Sequence, residues 1–167
     1  SAASDVYKRQ IVKEQEKPDG NFPTASYPNP EDKSVFNIAL DMARESNPDI
    51  IFGTDPDCDR IGVVVKDNTG EYKVLTGNQT GMLLAHYMLK SLSDRNELPK
   101  NSAVIKTIVT TEGVRKIVES FGAELIDTLT GFKYIGEKIR EFQESGDKKY
   151  IFGFEESYGC LIGTHAR

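Results

Sequence analysis

The chain has 167 residues, room for one ordinary domain or two small ones, and 38% are hydrophobic, which suits a packed core rather than a disordered tail. A formal net charge of −5 removes nucleic acid as a default partner, and no apolar run approaches the roughly 20 residues that a membrane crossing needs. The two cysteines, Cys58 and Cys160, lie far apart without CxxC spacing, so neither a zinc site nor a disulfide framework is indicated and a reducing cytoplasm is the expected setting.

The first ten residues, SAASDVYKRQ, have no starting Met and no clear period. They resemble translated adapter sequence and are read as a non-native leader at residues 1–10, on a gene cut at its 5′ end. The proline-rich NFPTASYPNPEDK is a loop, with Asn29 expected as N-cap and Pro30 at the first helical position. Val35, Ile38, Ala39, Met42 and Ala43 recur at helical spacing, and Asn47-Pro48 stops the pattern. DIIFG then reads as a short buried strand, IGVVV as another β-rich run, and KDNTGEYKV as a turn and a strand.

Thr76 followed by Gln79 has capping-box spacing and opens a helix whose apolar body is MLLAHYMLKSL. After it the rhythm is regular: AVIKTIV a strand, EGVRKIVESF a helix ended by Gly122, AELIDT a strand, FKYIGEKIREFQES a helix ended by Gly146, and YIFGF a strand. This alternation predicts an α/β fold with helices packed on a largely parallel or mixed sheet, and a domain boundary is expected near residues 70–75.

GTDPDCDRIGVVV carries Asp55, Asp57 and Asp59 at alternate positions beside Arg60. In an extended segment such residues point the same way, so the carboxylates can converge just past a strand end. A hard divalent ion, Mg²⁺ above all, offsets that repulsion, and Arg60 then stands where it can contact a phosphate on the same ion. An EF-hand needs Gly and Glu where Arg60 and Lys66 stand, so it is excluded. A haloacid-dehalogenase phosphatase needs Thr or Val at Asp59, which makes that reading weak. A solvated acidic turn explains the same letters, and spacing alone leaves turn and metal site both open.

FPTASYPNPE, GTDPDCDRIGVV, LTGNQTGMLL, IVTTEGVRKI, DTLTGFKYIGEKI and FGFEESYG, in this order, resemble the α-D-phosphohexomutases, the phosphoglucomutase and phosphomannomutase family. The resemblance implies three-layer α/β/α domains with mixed sheets, one of them incomplete here. Residues 11–73 would be the later part of a second domain with the metal loop, and 74–167 a third domain with the sugar loop. The family's phosphoserine loop (T-x-S-H-N-P) and phosphate loop (R-x-S-G-T) are not in this sequence. The implied activity is interconversion of hexose 1-phosphate and hexose 6-phosphate through a phosphoserine and a bisphosphorylated sugar. This chain, as a fragment missing domains 1 and 4, is expected to be inactive alone; the alternative is a non-catalytic, metal-dependent phosphosugar-binding module.

By position, the resemblance makes Asp55, Asp57 and Asp59 the Mg²⁺ ligands and Arg60 the arginine that steadies the phosphoryl group. Cys58 stands where the family more often has Gly or Ala. Glu155 and Ser157 match residues that hydrogen-bond neighbouring sugar hydroxyls, O3 and O4, which glucose and mannose present alike; Glu156 is left undecided. Lys133 matches a lysine that contacts the reacting groups in phosphoglucomutases, and Thr130 and Gly131 are expected to add backbone contacts at the start of its helix, capped by Thr130. His165 and Arg167 match a stretch facing the cleft. His86 is read as structural and Arg115 as a solvated helix residue.

Overall fold

In the computed structural model, which describes residues 9–164, the chain leaving the proline-rich loop makes two tight turns before any α-helix begins. Asn29 Oδ1 accepts the Glu31 N–H at 2.9 Å, and Asp32 Oδ1 accepts the Ser34 N–H at 2.9 Å to cap a 3₁₀ turn at Lys33–Phe36. Helix α1 is Asn37–Ser46, so the helix expected directly after Asn29 starts later. The reason is local: a short Asn side chain closes its own turn as readily as it caps a helix. Asn47, left-handed at φ 51°, ends α1 as Pro48 requires.

Strands β1 (Ile50–Thr54), β2 (Ile61–Lys66) and β3 (Tyr72–Val74) form an antiparallel sheet in the order β1-β2-β3. Gly53 faces Gly62 across the first pair, and the buried Phe36 ring rests on both. A Cβ on either glycine would lie 2.7 Å from that ring. Two adjacent residues without side chains thus make the flat seat that the aromatic ring fills.

The rest of the described chain is one three-layer unit. Helix α2 (Gly77–Asp94) starts with the expected capping box: Thr76 Oγ1 accepts the Gln79 N–H, and Gln79 Oε1 accepts the Thr76 N–H at 2.9 Å. Strand β4 (Ser102–Thr107), helix α3 (Val114–Ser120), strand β5 (Glu124–Thr128), helix α4 (Phe132–Ser145), strand β6 (Lys149–Phe154) and strand β7 (Cys160–Ile162) follow. The sheet order is β5-β4-β6-β7, parallel except for β7. Val104, Leu125, Phe152 and Phe154 pack with Ala85 and Leu89 of α2 and Val114 and Val118 of α3. Ala103, Ile105 and Tyr150 pack with Ile135, Ile139 and Phe142 of α4 on the other face. Strand β7 was not foreseen, because three residues after a glycine are too short to show a period.

Alternation breaks at one place. Ala103 pairs with Tyr150 but Val104 with Phe152, which leaves Ile151 as the extra residue of a bulge. Ile151 and Phe152 therefore both join the α2/α3 side, and beyond them Phe154 faces α2 while Gly153 faces Ile135 of α4.

A fully buried cation ends β4. Lys106 is 0% exposed; its Nζ donates to the carbonyls of Thr107 (3.2 Å) and Thr110 (3.1 Å) and lies 2.8 Å from both Glu112 Oε1 and Asp127 Oδ1. Burial works against its charge, but hydrogen bonds from Lys106 to Asp127 and Glu112 outweigh it, and the ammonium pKa lies above its ordinary 10.5. Arg115, on α3 and partly exposed as expected of a solvated helix residue, also reaches the same two carboxylates, Glu112 at 2.8 Å and Asp127 at 3.5 Å. None of the described helices is long and apolar enough to cross a membrane.

Two predictions follow from this packing. A Cβ at Gly81 would meet the Phe154 ring at 2.0 Å, whereas one at Gly136 of α4 meets nothing within 4 Å. Denaturant titration should therefore show Gly81→Ala losing about 1–3 kcal/mol by overpacking, and Gly136→Ala gaining about 0.5–1 kcal/mol through helix propensity. Lys106→Met should cost about 1–3 kcal/mol, since two carbonyls lose their donor while Glu112 and Asp127 keep Arg115 and water. Because the folded state raises the Lys106 pKa, its contribution is whole below the unfolded value near 10.5 and fades as pH rises through the folded value. The stability loss above pH 10.5 measured for the parent chain should accordingly be smaller in Lys106→Met.

Candidate metal and sugar-binding site

The aspartate loop leaves β1 as a turn rather than an extended segment. The Cys58 N–H donates to the Asp55 carbonyl at 3.1 Å, and Cys58 is left-handed at φ 59°, a conformation glycine takes without strain. Its Sγ lies 3.5 Å from Thr54 Oγ1. Convergence of the three acids thus comes from the turn and not from strand alternation. One carboxylate oxygen from each of Asp55, Asp57 and Asp59 lies within 4.8 Å of the others.

Asp55 is the anchor of this cluster. Its side chain is only 11% exposed, and Oδ1 accepts the Arg60 N–H at 3.0 Å. Asp57, at the tip, is exposed. The Arg60 guanidinium donates to Glu31 Oε1 at 2.9 Å, and its Nε stands 3.8 Å from Asp55 and 3.9 Å from Asp59. Two carboxylates at this separation repel by about 1 kcal/mol in water, and more as water is displaced. The donor set is all oxygen, which suits a hard cation. Around one octahedral Mg²⁺ neighbouring oxygens are about 3 Å apart and opposite ones about 4.2 Å, so three carboxylates within 4.8 Å of one another close on the ion by rotation of their side chains. Asp55, Asp57 and Asp59 therefore fit Mg²⁺.

The second loop joins β6 to β7. The Glu155 N–H donates to the Gly159 carbonyl at 3.0 Å, and Tyr158 is left-handed at φ 70°, which closes a short hairpin turn around Glu156 and Ser157. Glu155 is buried, and its Oε1 accepts the Gly131 N–H at 2.7 Å. Gly131, at φ 120°, is itself the N-cap of α4 and no side chain caps that helix. The expected cap by Thr130 is therefore corrected: Thr130 is exposed, and the helix start is shaped instead by the Gly131 bond to Glu155. Ser157 is half-buried at the turn.

The two loops are joined through their backbones. The Ile61 N–H donates to the Tyr158 carbonyl at 3.3 Å, and Arg60 forms an antiparallel bridge with Gly159. The Tyr158 hydroxyl donates to the Leu75 carbonyl at 3.0 Å, and burial, with the Glu31 charge adding to it, raises the pKa of that phenol. The structure thus brings Asp55, Asp57, Asp59 and Arg60 beside the turn of Glu155 and Ser157, with Gly131 attached to Glu155. Lys133, two residues after Gly131, is exposed, and its ammonium lies 4.7 Å over the ring of Tyr134 on its own helix. His86 is exposed on α2 rather than set in its apolar face and meets Phe121 edge-on at 5.7 Å, while His165 and Arg167 lie outside the described residues.

Sequence reasoning assigned no role to Glu31, the partner of Arg60, nor to Thr107 and Thr110, which hold Glu156. Glu31 lies in NPED, next to a proline in a loop, and that adjacency was the one available signal.

Comparison with known proteins agrees with this layout. The sequence model described as phosphoglucomutase/phosphomannomutase, alpha/beta/alpha domain II, matches residues 2–70, and that for domain III matches residues 76–167. A phosphoglucomutase of Staphylococcus saprophyticus is 36% identical over 163 residues, covering 98% of this chain and 29% of its own length. A phosphoribomutase of Saccharomyces cerevisiae is 39% identical over 156 residues, 90% of this chain and 25% of its own. This chain therefore spans under a third of the length of these relatives. A solved phosphoglucomutase/phosphomannomutase family protein from Burkholderia thailandensis superimposes with a TM-score of 0.68 at 27% identity, over 87% of this chain and 28% of that one. An N-acetylphosphoglucosamine mutase of Aspergillus fumigatus, solved with GlcNAc-6P and magnesium, shares the fold at a TM-score of 0.51 and 19% identity, over 66% of this chain and 20% of that one. With both of its halves matched in order, the chain belongs to the phosphoglucomutase/phosphomannomutase family.

Proposed function

We propose that this chain supplies the metal loop and the sugar loop of a phosphohexomutase that interconverts hexose 1-phosphate and hexose 6-phosphate through a phosphoserine and a bisphosphorylated sugar. The observation that carries the reading is the backbone join of Arg60 and Ile61 to Gly159 and Tyr158, which holds the acidic cluster against the turn of Glu155 and Ser157. Residues 11–73 carry the metal part and residues 74–167 the sugar part.

Asp55, Asp57 and Asp59 hold Mg²⁺, which when bound supplies positive charge to a transferring phosphoryl group. Arg60, already oriented by Glu31 and by its own backbone bond to Asp55, donates to phosphoryl oxygens. Glu155 accepts from adjacent sugar hydroxyls through the oxygen not engaged by Gly131, and Ser157 both donates and accepts there. Gly131 acts by fixing Glu155, and Thr130 faces the sugar beside it. Lys133 reaches the substrate phosphate by leaving the Tyr134 ring, a contact of about 0.5–1 kcal/mol at an exposed site. The hydroxyls gripped are those glucose and mannose share, so this chain's residues do not select between the two. The serine that carries the phosphoryl group is not among these 167 residues, and the chain by itself is expected to release no hexose 6-phosphate. Two free cysteines, Cys58 exposed in the metal loop, suit a reducing cytoplasm.

Calorimetric titration with MgCl₂ tests the metal assignment. Asp57 is exposed and asparagine has nearly the same shape, so Asp57→Asn should keep the fold and weaken Mg²⁺ binding by roughly tenfold or more. Equal affinities in parent and variant would defeat the ligand set. NMR titration with glucose 1-phosphate, mannose 1-phosphate and ribose 1-phosphate in the presence of Mg²⁺ tests the sugar loop. Glu155→Gln and Ser157→Ala should each weaken hexose phosphate binding by roughly tenfold, the worth of one or two hydrogen bonds to a charged or buried group. Restored turnover on adding the relatives' phosphoserine-bearing domain separates an enzyme part from a non-catalytic phosphosugar-binding module.

A further inference from the structure

Glu156 sits between the two residues read as sugar contacts, yet its side chain is committed elsewhere. Its Oε2 accepts from Thr110 Oγ1 at 2.9 Å and lies 3.3 Å from Thr107 Oγ1, while its backbone N–H donates to the same Thr110 oxygen at 3.2 Å. The two threonine hydroxyls are 2.7 Å apart. Each hydroxyl has one proton, and the two shortest contacts are both satisfied when Thr107 donates to Thr110 and Thr110 donates to the Glu156 carboxylate. Thr110 Oγ1 is then saturated, giving one bond and accepting two.

These threonines are held from behind. The Thr110 N–H donates to the Thr107 carbonyl at 3.0 Å, and buried Lys106 ties both of their carbonyls to one ammonium. The Thr111 N–H donates to Asn78 Oδ1 at 3.0 Å, which fastens the turn to the first residues of α2. Gly77, beside Asn78, approaches so closely that a Cβ there would lie 2.0 Å from the Glu156 carbonyl oxygen. Glu155 meanwhile points to Gly131 at the start of α4. Neighbouring residues of one turn are thus clamped by different loops of the same sheet edge.

We infer that Glu156 is a positioning residue: its carboxylate, locked by Thr110 and Thr107, sets the rotation of the 155–158 turn and so aims Glu155 and Ser157. It acts on sugar only through those two side chains, and in that respect the inference rests on the proposed sugar loop. Its effect on Glu155 is readable without any ligand, because the Gly131 amide bonds to the Glu155 carboxylate.

The test is ¹⁵N NMR of the 167-residue chain. In Glu156→Ala the Gly131 amide should exchange with solvent roughly tenfold faster, as expected when one hydrogen bond to a charged group is weakened. Glu156→Gln, which still accepts from Thr110, should restore most of the protection; Thr110→Val should copy the alanine variant and Thr110→Ser the parent. Amides of Leu89 and Val118, deep in the core, should not change. Mg²⁺-dependent glucose 1-phosphate binding should weaken about tenfold in Glu156→Ala and recover in Glu156→Gln. An unchanged Gly131 amide in Glu156→Ala, or protection lost equally at Leu89 and Val118, overturns the inference. If Glu155→Gln and Ser157→Ala leave glucose 1-phosphate binding unaltered, the sugar-loop assignment fails, while the Gly131 amide still decides whether Glu156 sets Glu155.

Discussion

The backbone contact between the residues after the aspartate loop and the β6–β7 turn is the constraint on which the rest of the site depends. One hydrogen bond from Ile61 to Tyr158 and the adjoining Arg60–Gly159 bridge run between two different sheets. Neither sheet alone brings acid cluster and turn together. A side-chain contact would leave both loops free to rotate about flexible torsions, whereas main-chain pairing fixes position and direction at once. Asp55 works in the same way within its loop, accepting the Arg60 N–H, so one arginine backbone links the acidic cluster on one side to the 155–158 turn on the other.

Charge follows the same economy. Arg60 and Lys106 are each surrounded by acids: Glu31, Asp55 and Asp59 for the first, Glu112 and Asp127 for the second. Lys106 differs in being sealed from solvent, where an unpaired ammonium would lose its proton; the carboxylates and carbonyls around it keep it charged. That charge does no chemistry on the substrate in this account. It closes the Thr107–Thr110 turn, and the turn in its place presents two hydroxyls to Glu156.

Much of this was legible in the letters. Thr76 and Gln79 announce α2, Gly146 ends α4 in the left-handed conformation, and the run of six motifs from FPTASYPNPE to FGFEESYG pointed to the family. The losses have physical causes. Asn29 and Pro30 look like a helix start because the same residues that cap helices also close turns. The aspartate loop was read as extended because alternation of acids is a strand pattern, and nothing in a cysteine announces a left-handed φ. Nothing in AVIKTIV announces a buried lysine, because lysine is almost never buried and the acids that offset its charge are six and twenty-one residues on. Glu156 could not be separated from Glu155 by type, only by what each one touches.

The bulge at Ile151 has a consequence that reaches past the core. On β6, every residue after it has its facing inverted relative to an unbroken strand. With the extra residue in place, Phe152, Phe154 and Glu156 fall toward α2 and α3, while Gly153 and Glu155 fall toward α4. Were the same letters paired with β4 without the bulge, the two glutamates would exchange neighbours: the one built to meet Gly131 would face the threonines, and the one built to meet the threonines would face Gly131. The identity of the two acids is thus a matter of counting, and the counter is an aliphatic side chain with no polar atom and no part in binding. A chain lacking Ile151 would keep the same letter order at the turn, because Tyr150 and Phe152 would then alternate and Phe152 would still pair with Val104.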